Sequence, residues 1–198
     1  IEGPFDSDLW ERTLNHVVET AAGPTLADED RIVGRKVATV AVAHDRSRAH
    51  VVFSGHRADG KAQAVVVESM RGVEGIRPWL EAHRDEILFV TGQERGAQES
   101  QLLADWRDDP MFVIPVTPCG GQNLTAALGT ARDLLRTGMV RHNPQPVLDV
   151  PAATAVTKEL GGGNVINLGK SPGDASPVQA WAIGLHMLSR PAQKAAAV

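Results

Sequence analysis

The chain has 198 residues, 42% of them hydrophobic and 22% charged, which is enough for one domain with a packed core. No apolar run is long enough to span a membrane, and Cys119, the only cysteine, forms no internal disulfide, so a reducing cytosol is the expected setting. The formal net charge of −4 argues against a nucleic-acid partner only until its distribution is considered. Residues 1–30 hold eight acids (Glu2, Asp6, Asp8, Glu11, Glu19, Asp28, Glu29, Asp30) against Arg12, and the remainder carries 19 bases against 16 acids. The expected organisation is an acidic N-terminal arm over 1–30 and a mildly basic domain over 31–198. Ile1 to Phe5 has neither a basic nor an apolar leader region, so no signal peptide is expected. The missing initiator Met suggests a fragment of a longer chain. Cys119 reads as a small semi-buried side chain rather than a nucleophile, since no His/Asn pattern accompanies it.

Residues 7–20 suggest a helix, with Leu9/Trp10, Leu14, Val17 and Val18 at helical spacing, followed by a polar link from Ala21 to Arg31. Three short β-rich segments come next: Val37 to Ala43, Ala49 to Ser54 and Gln63 to Glu68. Asp59-Gly60 between the last two suggests a hairpin with a type I′ turn. Ile76, Leu80 and His83 predict a helix, Ile87 to Val90 a buried strand, Ala97 to Trp106 a helix, and Met111 to Val116 another buried strand. The clearest helix carries Leu124, Ala127/Leu128, Ala131 and Leu134/Leu135 on one stripe and stops at Gly138. A further helix starts near Pro146, Val165 to Leu168 is extended, and a last helix starts with Ser176 as N-cap and Pro177 at its first position. This order, β-β-β-α-β-α-β-α plus a terminal helix, predicts an α/β fold: a ribonuclease H-like mixed sheet, three antiparallel strands then parallel ones, with helices on both faces.

Few segments carry chemistry by pattern alone. Gly163 to Ser171 nearly matches a phosphate-binding loop, but it has one residue too many between the glycines and Pro172-Gly173 follows where a helix should start. No paired Cys or HExxH pattern supports a zinc site. Asp45, in the turn His44-Asp45-Arg46-Ser47, reads first as a cap of its own backbone. Asp174, two residues before the last helix, reads first as a helix cap.

Taken together, several segments resemble the C-terminal nuclease of phage terminase large subunits, especially those of actinobacterial hosts. The resemblance rests on Phe5-Asp-Ser-Asp-Leu-Trp10, the first strand running into Asp45-Arg46-Ser47, the hairpin Gly55 to Gly60 with Val65 to Glu68, and Gly138-Met-Val-Arg-His142. Gln145-Pro-Val-Leu-Asp149, Lys158-Glu-Leu-Gly161 and Lys170-Ser-Pro-Gly-Asp174-Ala-Ser-Pro177 complete it. The resemblance implies an endonuclease that cuts double-stranded DNA during packaging, in the cytoplasm of an infected or lysogenic bacterial host. It also implies an ATPase motor domain, a portal and a small terminase subunit as partners, and no membrane.

The implied chemistry is hydrolysis assisted by two Mg²⁺ or Mn²⁺ ions roughly 4 Å apart, held by three carboxylates. Asp174 fits the third acid. The first is replaced by Ala41 and the second by Thr91, at the start of Thr91-Gly92-Gln93. Asp45 and Glu68 are then the candidate substitute ligands, with Glu94 a further one, and Asp45 joins Asp174 as a catalytic candidate. Arg46, Arg48 and Lys170 flank the expected site as candidate phosphate contacts. The alternative is a catalytically inactive DNA-binding or assembly module of the packaging motor on the same fold.

Overall fold

A computed structural model describes residues 3–190, the side chain of Asp28 excepted; residues 1–2 and 191–198 of the expected arm and domain lie outside it. In chain order the elements are α1 (Ser7–Arg12), β1 (Val17–Thr20), β2 (Gly23–Leu26), β3 (Ile32–Val42), β4 (Arg48–Arg57), β5 (Ala62–Arg71) and α2 (Ile76–Ala82). There follow β6 (Ile87–Thr91), α3 (Ser100–Asp108), α4 (Gln122–Thr137), β7 (Val140–Arg141), α5 (Pro146–Thr154), β8 (Thr157–Leu160), β9 (Gly163–Ile166) and α6 (Ser176–Ser189). The central sheet runs β6-β3-β4-β5-β7. Strands β3, β4 and β5 are antiparallel, while β6 is parallel to β3 and β7 to β5. This is the mixed, meander-led sheet that the sequence predicts.

Both faces of the sheet are covered, which is why Val37 to Val42, Thr39 apart, is apolar instead of alternating. Ala38, Val40 and Val42 pack with Ile76, Leu80 and Leu103 of α2 and α3. Ala41 and Val52 pack on the opposite face with Val178, Trp181 and Leu185 of α6. Helix α6 lies close against the sheet at Gly184, where a β-carbon would collide with Ser54 Oγ and Thr39 Oγ1. That close approach fixes the height at which α6, and Asp174 before it, sits over β3 and β4.

The N-terminal segment departs from expectation. Helix α1 stops at Arg12, and Thr13 Oγ turns back onto the Leu9 and Trp10 carbonyls. The β-branched run Val17 to Thr20 then pairs with β2 as a hairpin, because strand pairing suits such side chains better than a helix does. Phe5 and Trp10 enter the core: Trp10 lies 5.0 Å from Trp181 and 3.9 Å from His142 between ring centroids, and its Nε1–H donates to Asp149 at 3.0 Å. The buried Arg57 binds Asp30 at 2.7 Å and Asn15 Oδ1 at 2.6 Å, tying the acidic stretch to β4.

Three local expectations are corrected. The β4–β5 hairpin exists, but only Gly60 has positive φ (83°), and Gly60 N–H bonds to Arg57 O. A three-residue loop closed by a left-handed glycine therefore replaces the type I′ turn. Met111 to Val116 is irregular, with a turn at Met111 and a bend at Ile114, and not a strand. Pro115 has no N–H to offer and Val90 bridges to Val116 alone; Phe112 and Ile114 are buried, while Met111 and Val113 are exposed. At the last helix Ser176 is the first helical residue, and the carboxylate of Asp174 does the capping.

Candidate functional site

The three positions where the sequence resemblance places acids converge on one face. Ala41, near the end of β3, is 3% exposed and packs on the α6 side. Thr91, at the end of the parallel neighbour β6, pairs with Thr39, and alternation from Phe89 (packed against Ile183 and Met187) turns it to the same side. Asp174 arrives from the turn before α6. What stands between them is a histidine. His50, 1% exposed, is the cross-strand partner of Ala41, and its Nε2 lies 2.7 Å from Asp174 Oδ2 while its Nδ1 lies 2.8 Å from Ser69 Oγ. An ionised carboxylate only accepts, so the Nε2 proton points at Asp174. In the neutral ring, Ser69 donates to Nδ1.

The other oxygen of Asp174 accepts from Ser176 N–H at 2.9 Å and Ser176 Oγ–H at 2.6 Å. Partial burial pushes this carboxyl up, but the bonds from His50 and Ser176 outweigh it and hold the group below its ordinary value. Asp174 is therefore an ionised cap with both oxygens engaged.

The remaining expected residues are dispersed. Asp45 is exposed and binds Ser47 Oγ–H at 2.6 Å and Ser47 N–H at 2.9 Å, which lowers its pKa; the charge of Asp174 acts on it in the opposite direction. Arg46 takes a left-handed φ of 61° in that turn and donates to the Gln98 carbonyl and side chain. Glu68 pairs with Val51, whose side chain belongs to the α2/α3 face, so it is not gathered beside Asp174. Glu68 accepts instead from Ser69 N–H at 2.9 Å. Glu94 is exposed in the loop after β6. Arg48 and Lys170 are exposed, and neither side chain has an ion pair or hydrogen bond among the described residues.

Sequence reasoning missed His50 and Glu99. The signal for His50 was available: in the alternating β4 it falls on the same inward face as Val52. Glu99, 1% exposed at the start of α3, accepts from Val42 N–H at 3.3 Å, and burial pushes its carboxyl up to about 7. A cleft of about 200 Å³ opens nearby, lined in part by His44, Gln93, Gln98, Lys158, Asn167 and Gln179. Its polar lining is amide and basic, with no carboxylate.

No family profile matches the sequence, and no curated protein is detectably similar to it. Solved structures are similar. The HK97 bacteriophage large terminase superimposes with a TM-score of 0.59 at 17% identity over 93% of this chain and 43% of that one. The large terminase nuclease of thermophilic phage G20c, with bound magnesium, gives 0.60 at 15% identity over 93% of this chain and 97% of its own. The nuclease domain of the Thermus phage P74-26 large terminase gives 0.55 at 17% identity, over 92% and 93%. The chain has the fold of a large-terminase nuclease domain. It spans less than half of the HK97 large terminase and nearly all of the isolated nuclease domains. The G20c nuclease has also been crystallised with bound cobalt and with bound zinc.

The residues of this terminase-nuclease fold do not fit a pair of divalent ions. A hard cation needs several anionic oxygens converging on one point. Here Ala41 presents a methyl group, and Thr91 Oγ1 is buried without a hydrogen-bond partner. The one remaining acid is occupied by His50 and Ser176. Among the described residues no group of three or more His, Cys, Asp or Glu side chains is placed to hold a metal ion.

Proposed function

We propose that this chain is the nuclease-fold domain of a DNA-packaging terminase that holds double-stranded DNA without cutting it. The observation that carries this reading is the His50–Asp174 pair set against Ala41 and Thr91, which leaves a closed hydrogen-bonded rim where cleavage needs open oxygen ligands. An enzyme that activates water through bound ions loses most of its rate when even one ligand is removed. The carboxylate-free cleft beside the rim, with Lys158 and four side-chain amides in its lining, suits a phosphate backbone, which a cluster of acids without its cations would repel. Its partners would be duplex DNA, the ATPase motor domain, the portal and a small terminase subunit.

A second reading is metal-dependent endonuclease activity with Mg²⁺ or Mn²⁺ at Asp174 and Asp45. One observation favours it: the two carboxylates are near enough for the charge of Asp174 to bear on Asp45. Incubation with supercoiled plasmid separates the two. With either ion the expected result is intact plasmid, with duplex binding retained and weakened by added salt. Nicking that requires Mn²⁺ or Mg²⁺ and disappears in Asp174→Ala would replace the holding function with cleavage.

A further inference from the structure

Two arginines stand directly across from each other at the open end of the β4–β5 ladder, Arg48 on β4 and Arg71 on β5. The next pair inward along the same face is His50 and Ser69. Asp174, two residues before α6, caps His50 on that face, and the two arginines, one pair further out along the strands, are exposed. Neither guanidinium has a hydrogen bond or ion pair among the described residues.

Like charges directly opposite on neighbouring strands destabilise a sheet, because their β-carbons are only about 5 Å apart. Other arginines of this chain do find acids: the half-buried Arg77 binds Glu81 and Asp109, and the exposed Arg136 binds Asp133. Arg48 and Arg71 repel each other with no counter-charge in contact. An anion that enters between them removes the repulsion, and the two non-bridging oxygens of a phosphodiester offer one charge-assisted acceptor to each guanidinium.

We propose that Arg48 and Arg71 form a two-armed clamp for one backbone phosphate of duplex DNA, each guanidinium taking a non-bridging oxygen. This rests on the DNA-holding reading above. The clamp lies beside the His50–Asp174 rim, so it would lay the duplex across the positions of the missing acids. Arg71 supplies an arm that the expected set of Arg46, Arg48 and Lys170 lacked.

Fluorescence anisotropy with a labelled duplex of mixed sequence, titrated across salt concentrations, tests the clamp. Wild-type protein should bind with an affinity that falls steeply with salt. Arg48→Ala and Arg71→Ala should each weaken binding roughly tenfold at low salt. The double variant should be little worse than either single one, and its salt slope should fall by about one, because one phosphate contact is lost and not two. Its melting temperature should be no lower than wild type, since a repulsive pair has been removed. Arg84→Ala, on the exposed turn after α2, should change nothing. Wild-type binding that survives the double substitution with affinity and slope intact would overturn the clamp and leave the DNA-holding reading standing. Absence of wild-type binding at low salt would remove both.

Discussion

The seam beneath the N-terminal segment and the rim at the end of β3 hold their polar groups in opposite ways. In the seam, Trp10, Trp181, Phe5 and His142 interlock, and the ring N–H groups serve the packing: Trp10 Nε1 reaches Asp149, Trp181 Nε1 the Ala64 carbonyl and His142 Nε2 the Trp10 carbonyl at 2.9 Å, with only His142 Nδ1 left unpartnered. At the rim the same sheet face carries a methyl group, an unpartnered threonine hydroxyl and one histidine–aspartate pair. Substitution at the seam opens a hole in the core, whereas the rim carries neutral Ala41 and Thr91 within regular strand register. A fold of this kind does not by itself carry a chemistry, which depends on the side chains placed at the rim.

The largest expected effect comes from breaking the seam. Trp10→Ala removes a 7%-exposed indole that touches three rings, and it should cost about 3–5 kcal/mol in urea-induced unfolding. A loss below about 1 kcal/mol would mean that the first helix is an appendage, and the contrast between seam and rim would disappear.

Glu99 sharpens the comparison from the opposite face. Its folded pKa, about 7, lies above the ordinary 4.5, so the folded state keeps a proton that the unfolded chain has already released. Stability from this group therefore falls as pH rises from about 4.5 to about 7 and is level beyond. Glu99→Gln keeps an acceptor for Val42 N–H without the buried charge. It should raise stability at pH 8 by roughly 2–3 kcal/mol and flatten the pH profile across that window. An unchanged profile would place the titration elsewhere.

The sheet, its helical layers and most element positions were legible because they depend on local signals: β-branched runs, one long apolar stripe, Gly138 in the left-handed conformation and Pro177 in the first helical turn. The resemblance places two further acids at Ala41 and Thr91, and the structure sets both positions on the face that Asp174 approaches. The histidine at the rim was not legible. His50 meets Asp174 across 124 positions of chain, and strand alternation gives its face but not its partner. The burial of Trp10 was hidden for a similar reason, since its neighbours His142 and Trp181 come from distant elements. Glu68 was misplaced because a register shift next to Val51 carries it to the other face, and bulges leave no clear mark in sequence.

The smallest expected effect belongs to the rim. Asp174→Asn preserves an oxygen for Ser176 N–H, and the new amide can donate to His50 if the imidazole moves its proton to Nδ1 and donates to Ser69. The net loss at neutral pH should then be about 1 kcal/mol, the worth of one charge-assisted bond exchanged for a neutral one. The acid limb should change more clearly. Asp174 has a folded pKa below its ordinary 3.8, so its contribution is complete above that value and disappears as pH falls through the folded one. The variant should lack this part of the acid-induced loss in unfolding experiments between neutral and strongly acidic pH. If Asp174→Asn instead destabilised the protein as much as Trp10→Ala, the rim would be part of the core's support. The absence of its partner acids would then need a structural explanation in place of a functional one.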